Sequence, residues 1–309
     1  MPPRKLTLGV LAKRLKLSKA TVSKALNPHA DRSDISVETT ARVRAAAARL
    51  GWHPDQMRAA RARRRMGNIG LVCQRAAPFT GGVYGDFLDG LSQALATHSR
   101  RLLFVPAHEA GDWSRLLNDQ RIDGAILMEP IGESLMTVIC ESRFPAVLIN
   151  QSSTLPLPQI LCDDVLGSGL AVSCLAAAGH QRLAFIQSPT RRPHYSVASR
   201  VAGFHAACVR LDVYGGQSPM EAEAFLNAWR QAAPATRATA VVCYNFSDTV
   251  DLLHGALERG LAIPGDLSVI SCDDIPALSM LRPAVSAIQV PMVAMAAAAV
   301  VRLIGIIES

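Results

Sequence analysis

The stretch that decides the N-terminal fold reads Leu17-Ser18-Lys19-Ala20-Thr21-Val22-Ser23-Lys24-Ala25-Leu26-Asn27. Ser18 is placed to cap a helix that begins at Lys19, because its hydroxyl can accept a backbone N–H of the first turn. The dipeptide Asn27-Pro28 ends this helix, since a proline disfavours helical conformation in the residue before it. The stretch therefore predicts one short helix, from Lys19 to Leu26.

Two further helices flank this one. Thr7 can cap a preceding helix through Leu15, whose leucines recur at helical spacing. Ser36 can cap a following helix from Val37 to Leu50, which stops at Gly51. Three short helices with a tight turn between the first two predict a helix-turn-helix unit.

The charge of the 309-residue chain is distributed unevenly. Residues 1–66 hold 16 Lys or Arg against four acidic residues, a net charge of +12, whereas residues 67–309 hold 16 against 21, a net charge of −5. A basic N-terminal module on an acidic body is the pattern expected of nucleic-acid binding. A solvated basic tail, or a helical dimerisation domain with solvated lysines, remains the alternative.

In a helix-turn-helix unit the second helix lies in the major groove of DNA. Lys19 and Lys24 are then placed to donate hydrogen bonds to guanine or to phosphates. Polar side chains on the same segment would hold backbone oxygens and set the register. These are Thr21, Ser23 and Asn27.

Residues 67–309 alternate between apolar strands and amphipathic helices. Continuous apolar strands separated by helices indicate parallel sheets covered on both faces, and their number suggests two α/β lobes around a cleft. Ligands of such folds bind beyond the carboxyl ends of the strands. The pattern includes strands at Leu211–Tyr214 and Ala287–Val290 and a helix at Asp112–Asp119.

Several functional classes find no support in the sequence. No apolar run approaches the roughly 20 residues that span a bilayer, and no secretory leader is visible, so we expect a cytoplasmic protein. The seven cysteines include no Cys-x-x-Cys pair, and this pattern favours free thiols.

Catalytic and metal-ligand motifs are missing, so no enzyme, cofactor or metal site is expected. Of each adjacent acid pair, Asp163-Asp164 and Asp273-Asp274, one member is expected to cap a helix or face solvent.

The N-terminal stretch resembles the recognition segment of LacI-type regulators, the lactose-repressor and galactose-repressor family. Gly51-Trp52-His53-Pro54-Asp55 resembles the family's junction after the headpiece, and residues 56–65 its hinge helix. Lys16 stands where the family usually has glycine, and Arg61 where it has a leucine that wedges into the minor groove. The resemblance implies a DNA contact set of Thr7, Lys19, Ala20, Thr21, Ser23, Lys24, Asn27, Met57, Arg58 and Arg61.

The body resembles the same family's periplasmic-binding-protein-like effector domain. The matching motifs are Arg121–Gly124, Gly179–Arg182, Ser199–Phe204 and Gly260–Asp274. The implied fold is an all-α helix-turn-helix headpiece (1–50), a hinge helix (51–66) and an α/β effector domain of two doubly wound lobes (67–309). The final strand usual in the family is expected to be missing from this domain.

The resemblance also places the effector contacts. Arg200, Asn245 and Asp273 fall where the family binds its effector, and an arginine and a carboxylate there can bracket sugar hydroxyls. Asn150, Phe79 and Phe246 are further candidates at the edge of the cleft. Other roles stay open: a salt bridge for Arg200, a helix cap for Asn245, a turn acceptor for Asp273 and core packing for the aromatic rings.

The expected function is that of a homodimeric transcription repressor. A small molecule, by resemblance a sugar, would bind between the lobes and change the affinity of the headpiece for double-stranded operator DNA. Two alternatives remain: a ligand-insensitive DNA binder with a degenerate effector lobe, and a DNA-binding module fused to a sugar-processing enzyme. The sequence names neither the effector nor the operator.

Overall fold

The computed structural model describes residues 8–26, 35–49, 66–73, 83–106, 121–128, 131–188, 194–216 and 219–309. The chain divides into two compact units, with the boundary between Met66 and Gly67. None of the helices in these ranges is long and apolar enough to cross a membrane.

The N-terminal unit contains three helices, α1 (Leu8–Leu15), α2 (Lys19–Leu26) and α3 (Val37–Arg49). Their bounds confirm the predicted order, and α2 matches its prediction at both ends. The hydroxyl of Ser18 accepts the backbone N–H of Thr21 at 3.0 Å, as expected of a cap. A small apolar core joins the three helices and consists of Leu11, Ala12, Val22, Ala25, Val43, Ala46 and Ala47.

The first lobe of the body is built on a parallel five-stranded sheet. Its strands are β1 (Asn68–Cys73), β2 (Arg101–Pro106), β3 (Gly124–Met128), β4 (Ala146–Ile149) and β5 (Gln159–Ile160), in the order β2-β1-β3-β4-β5. Helices α4 (Val83–Thr97) and α5 (Glu133–Ser142) connect them. The central strands β3 and β4 are buried along their whole length, as their continuous apolar sequences predict.

The second lobe repeats this architecture. Its elements in chain order are α6 (Asp164–Ala177), β6 (Arg182–Ile186), α7 (Tyr195–Arg210), β7 (Tyr214–Gly215), α8 (Ala222–Gln231), β8 (Ala240–Cys243), α9 (Phe246–Glu258), β9 (Ser268–Ser271), α10 (Pro276–Met280) and β10 (Ser286–Ala287). The sheet is parallel with strand order β10-β9-β8-β6-β7. In each sheet the second strand in chain order lies on one side of the first strand, and the later strands lie on its other side. This change of direction creates a crevice beyond the carboxyl ends of the strands.

The chain crosses between the lobes twice within the described body. Residues 161–163 lead from β5 into α6 of the second lobe, and residues 288–291 lead from β10 into α11 (Met292–Glu308). Helix α11 packs back on the first lobe, where Ala296, Val300 and Leu303 share a core with strands β1 and β4. Residues of both crossings line one cavity, so the two crossings lie close together.

Two predicted strands are wrong in their bounds. Residues 211–213 close helix α7 instead of starting a strand: Leu211 N–H donates to Ala207 O and Val213 N–H to Cys208 O. Strand β7 is consequently limited to Tyr214–Gly215. The strand expected at Ala287–Val290 is Ser286–Ala287, because its partner β9 ends at Ser271. The expected helix Asp112–Asp119 lies outside the described residues.

Candidate DNA-binding surface and effector cleft

Helix α2 has one face buried in the N-terminal unit and one face exposed to solvent. Val22 and Ala25 are buried in the core of the N-terminal unit. The outer face exposes four of the residues expected to contact DNA, namely Lys19, Ala20, Ser23 and Lys24. This division follows from helical periodicity, and it leaves the early part of the helix accessible to a DNA groove.

Thr21 has a structural role that the sequence interpretation did not assign. Its Oγ1 lies 2.8 Å from the Oγ of Ser18, and its backbone N–H donates to that same oxygen. The Thr21 hydroxyl thus belongs to the cap of α2. Six expected site residues lie outside the described part of the chain: Thr7, Asn27, Met57, Arg58, Arg61 and Phe79.

In the body, Arg200 on helix α7 is buried, with 8% of its surface exposed. Its Nε donates to Oδ1 of Asp164 at 2.7 Å, and its Nη1 donates to Oδ1 of Asp273 at 3.1 Å. Nη1 also donates to the carbonyl oxygen of Tyr244, and the guanidinium lies 4.9 Å from the centre of the Tyr244 ring. The salt bridge that the sequence left as an alternative for Arg200 is therefore present.

Burial and charge act together on this cluster. Burial lowers the pKa of the Arg200 guanidinium, but the nearby carboxylates of Asp273 and Asp164 raise it by more. The net pKa is therefore raised, and the group stays charged. Burial also raises the pKa of the Asp273 carboxyl, against the opposing effects of Arg200 and of the backbone N–H of Phe246. Oδ2 of Asp164 is buried and has no hydrogen-bond partner in the described structure.

Asn245 and Phe246 lie where β8 passes into α9. Oδ1 of Asn245 accepts the backbone N–H of Asp248 at 2.9 Å and so caps the helix, which is the alternative role that the sequence allowed. The backbone N–H of Phe246 donates to the Asp273 carboxylate and lowers its pKa. The first turn of α9 thus helps to hold the carboxylate that pairs with Arg200.

Asn150 directly follows β4 in the first lobe and adopts a left-handed conformation, with φ of 55°. Its carbonyl oxygen lies 2.9 Å from Nε2 of His194, and its Oδ1 accepts from the Tyr195 hydroxyl at 3.4 Å. Both partners belong to the second lobe. Asn150, Tyr244 and Asp273 all follow carboxyl ends of parallel strands, where the resemblance placed the effector cleft.

The cluster includes residues that sequence reasoning missed: Asp164, His194, Tyr195, Ser196 and Tyr244. The pair Asp163-Asp164 was noticed, and Asp163 does cap α6 by accepting the Leu166 N–H at 2.9 Å. Asp164 instead points into the protein and is 4% exposed. The sequence could not reveal the ion pair of Asp164, because its partner Arg200 lies 36 residues away. The only sequence signal for Asp164 was its position at a crossing between the lobes.

A cavity of about 190 Å³ adjoins this cluster. It lies between the first turns of α6 and the crossing at 288–291, and Asp164 and Arg200 contribute to its lining. Cys162 and Cys272 also line it, and burial raises the pKa of these thiols to about 11 and about 12. Both thiols are therefore protonated at neutral pH and offer weak hydrogen-bonding groups without charge.

Comparison with protein families gives two matches along the chain. Residues 7–55 match the model of bacterial regulatory proteins of the lacI family, and residues 172–309 match a periplasmic binding protein-like domain. The first match coincides with the three-helix unit, and the second covers most of the second lobe together with helix α11. The chain therefore combines a LacI-family DNA-binding domain with a periplasmic-binding-protein-like domain.

Two curated relatives extend this similarity over nearly the whole chain. It is 27% identical to "Probable HTH-type transcriptional repressor ExuR" of Bacillus subtilis, over 93% of this chain and 87% of the relative. It is also 27% identical to the HTH-type transcriptional repressor CytR of Escherichia coli, over 92% and 85%. The solved lac repressor dimer bound to operator and the anti-inducer ONPF shares the fold, with a TM-score of 0.63, 21% identity and coverage of 99% and 93%.

The predicted fold class is thereby confirmed: a helix-turn-helix headpiece is joined to a two-lobed, periplasmic-binding-protein-like body with parallel sheets. The family consists of DNA-binding transcription regulators, and the predicted function as a DNA-binding transcription repressor is supported. The exposed face of α2 is the surface at which the sequence predicts DNA contacts. The contact residues themselves remain predictions.

Proposed function

We propose that this repressor is a homodimer whose operator affinity changes when a small polyhydroxylated molecule, such as a sugar, binds between the lobes. The observation that carries the proposal is the convergence of polar groups beyond the carboxyl ends of strands from both sheets. Asn150 comes from the first lobe, and Arg200 and Asp273 come from the second. Charged donors and acceptors that are already held in place suit neighbouring hydroxyl groups.

Homodimer formation has its own support on the surface of the body. Val250 and Leu257 lie seven residues apart on α9, and Leu257 is 76% exposed. Met280 on α10 is 75% exposed. A second copy of the chain would cover such apolar side chains, and two helix-turn-helix units are needed to bind two half-sites of an operator.

A ligand-insensitive DNA binder is the second candidate, and one observation favours it. Nε and Nη1 of Arg200 already donate to protein acceptors, so the guanidinium is partly saturated without a ligand. A body of this kind would serve only to pair the headpieces.

The two candidates can be separated in two steps. Chromatin immunoprecipitation with sequencing, in the bacterium that encodes the protein, should recover a small set of sites with a common two-fold symmetric sequence. Small molecules handled by the neighbouring genes are then titrated by calorimetry, with and without the recovered operator DNA. Binding heat together with altered operator affinity supports the repressor with an effector. Operator binding with no heat from any sugar favours the ligand-insensitive candidate, and no common sequence contradicts both.

A further inference from the structure

His194 and Tyr195, at the start of helix α7, connect the second lobe to the first. His194 lies with Nε2 2.9 Å from the carbonyl oxygen of Asn150. The Tyr195 hydroxyl donates to Oδ1 of Asn150 and accepts the backbone N–H of Cys162, in the first crossing between the lobes, at 3.4 Å in each case. The two rings are tilted against one another, with centroids 4.5 Å apart.

The partners of His194 determine its tautomer. A carbonyl oxygen only accepts hydrogen bonds, so Nε2 must carry the proton that is donated to Asn150. Nδ1 accepts the backbone N–H of Ser196 at 3.3 Å, which caps helix α7. One neutral imidazole therefore performs two tasks, since it caps a helix of the second lobe and bonds to the backbone of the first.

A continuous chain of contacts leads from His194 to Arg200. The Oγ of Ser196 lies 2.6 Å from Nδ1 of His194 and 2.8 Å from the hydroxyl of Tyr244. The carbonyl oxygen of Tyr244 accepts from Nη1 of Arg200, and its ring lies under the guanidinium. A displacement of Arg200 would thus disturb Tyr244, Ser196 and His194 in turn, and His194 is the member that touches the other lobe.

We propose that His194 is a positioning residue that couples the Arg200 cluster to the arrangement of the two lobes. It acts through its hydrogen bond to Asn150, and Tyr195 reinforces that contact. The consequence for operator affinity rests on the proposed function, whereas the inter-lobe contact itself does not. Coupling of this kind requires a physical element that both sites bias, and the His194–Asn150 contact is that element.

Three substitutions separate this role from helix capping. His194→Asn keeps a side chain that caps helices well, but the shorter asparagine cannot reach the Asn150 carbonyl. His194→Ala loses both contacts. Tyr195→Phe keeps the ring and removes only the hydroxyl, which donates to Asn150 and accepts from Cys162. His98→Asn, at an exposed histidine in a turn of the first lobe, is the matched control.

Hydrogen exchange followed by mass spectrometry, on the full chain without DNA or small molecules, tests the contact. We expect His194→Ala to speed exchange both in the first turn of α7 and in the crossing at 161–163. His194→Asn should restore protection in α7 but not in the crossing, and Tyr195→Phe should act on the crossing alone. If His194→Asn restores both regions, or no variant affects the crossing, the inter-lobe role is contradicted.

Operator affinity tests the coupling, with DNA recovered by immunoprecipitation as the probe. We expect His194→Asn to change the Kd for operator by about fivefold or more, the lower end of ordinary coupling between sites, while His98→Asn leaves it unchanged. An altered crossing with unchanged affinity would overturn the coupling and leave the proposed repressor function standing. Failure of the wild-type chain to bind any operator would instead contradict the proposed function, and the exchange result would remain valid by itself.

Discussion

Arg200 and Asp164 form a buried ion pair, with Nε of the arginine 2.7 Å from Oδ1 of the aspartate. Asp164 is the first residue of α6, at a crossing between the lobes, and Arg200 lies in the second turn of α7. The pair fixes these two helices against each other beside the cleft. A guanidinium suits this position because its planar fork reaches Asp164, Asp273 and the Tyr244 carbonyl at the same time.

Asp164→Asn is expected to lower the free energy of unfolding by about 3 kcal/mol, because removal of one partner from a buried pair leaves the other charge poorly compensated. Urea denaturation of the full chain measures the effect. Asp86→Asn makes the same chemical change at an exposed position of α4 and should change the unfolding free energy by less than about 0.5 kcal/mol. Equal small effects would show that Asp164 contributes no net stability.

Thiol reactivity should distinguish one cysteine from the other six. Cys174 is exposed, whereas the remaining cysteines are buried or half-buried. Burial raises the pKa of Cys162 and Cys208 to about 11, so these thiols remain protonated and unreactive at pH 8. We expect the native protein to react rapidly with one equivalent of a disulfide reagent, and Cys174→Ser to lose that phase. Rapid reaction of several thiols would contradict the described packing.

Lys16, in the turn before the second headpiece helix, adopts a left-handed conformation with φ of 56°. This is the conformation expected from the resemblance, in which glycine is usual at this position. Lys16→Gly should relieve strain of about 1–2 kcal/mol, partly offset by the greater freedom of glycine in the unfolded chain. Lys16→Val should destabilise the headpiece, since β-branched residues avoid this region. Thermal unfolding of both variants tests the order, and a more stable valine variant would contradict it.

Lys24→Ala is expected to weaken binding to the specific operator by about 1–3 kcal/mol and to relax the preference at one base position. Lys13, in the last turn of α1, is also exposed and provides the control. Lys13→Ala should have a smaller effect that is similar on specific and random DNA. Competition binding with a randomised operator library measures both quantities. Equal losses on specific and random DNA for Lys24→Ala would exclude base reading.

Arg61 lies outside the described residues, and its role follows from the sequence resemblance alone. An arginine suits a narrow, electronegative A·T-rich minor groove but cannot unstack a base step as an apolar wedge does. We therefore expect Arg61→Leu to increase DNA bending and to reduce the log–log salt slope of binding by about 0.9, the value for one phosphate contact. A parent protein that already bends its operator strongly, with neither quantity changed by the leucine, would contradict this role.

The sequence by itself determined the elements and their class. Helix caps at Ser18 and Ser36, and apolar runs such as Asn68–Cys73, depend on local contacts, so their patterns predict α2 and β1 with the bounds that are found. It also indicated Arg200 and Asp273, because their motifs resemble those of a known family. Only the tertiary structure decided that these two residues bind each other, that Asp164 joins them, and that His194 and Tyr195 reach Asn150 in the other lobe. These contacts join residues between 36 and 73 positions apart, and no local pattern specifies which distant side chains will meet once the two sheets have formed.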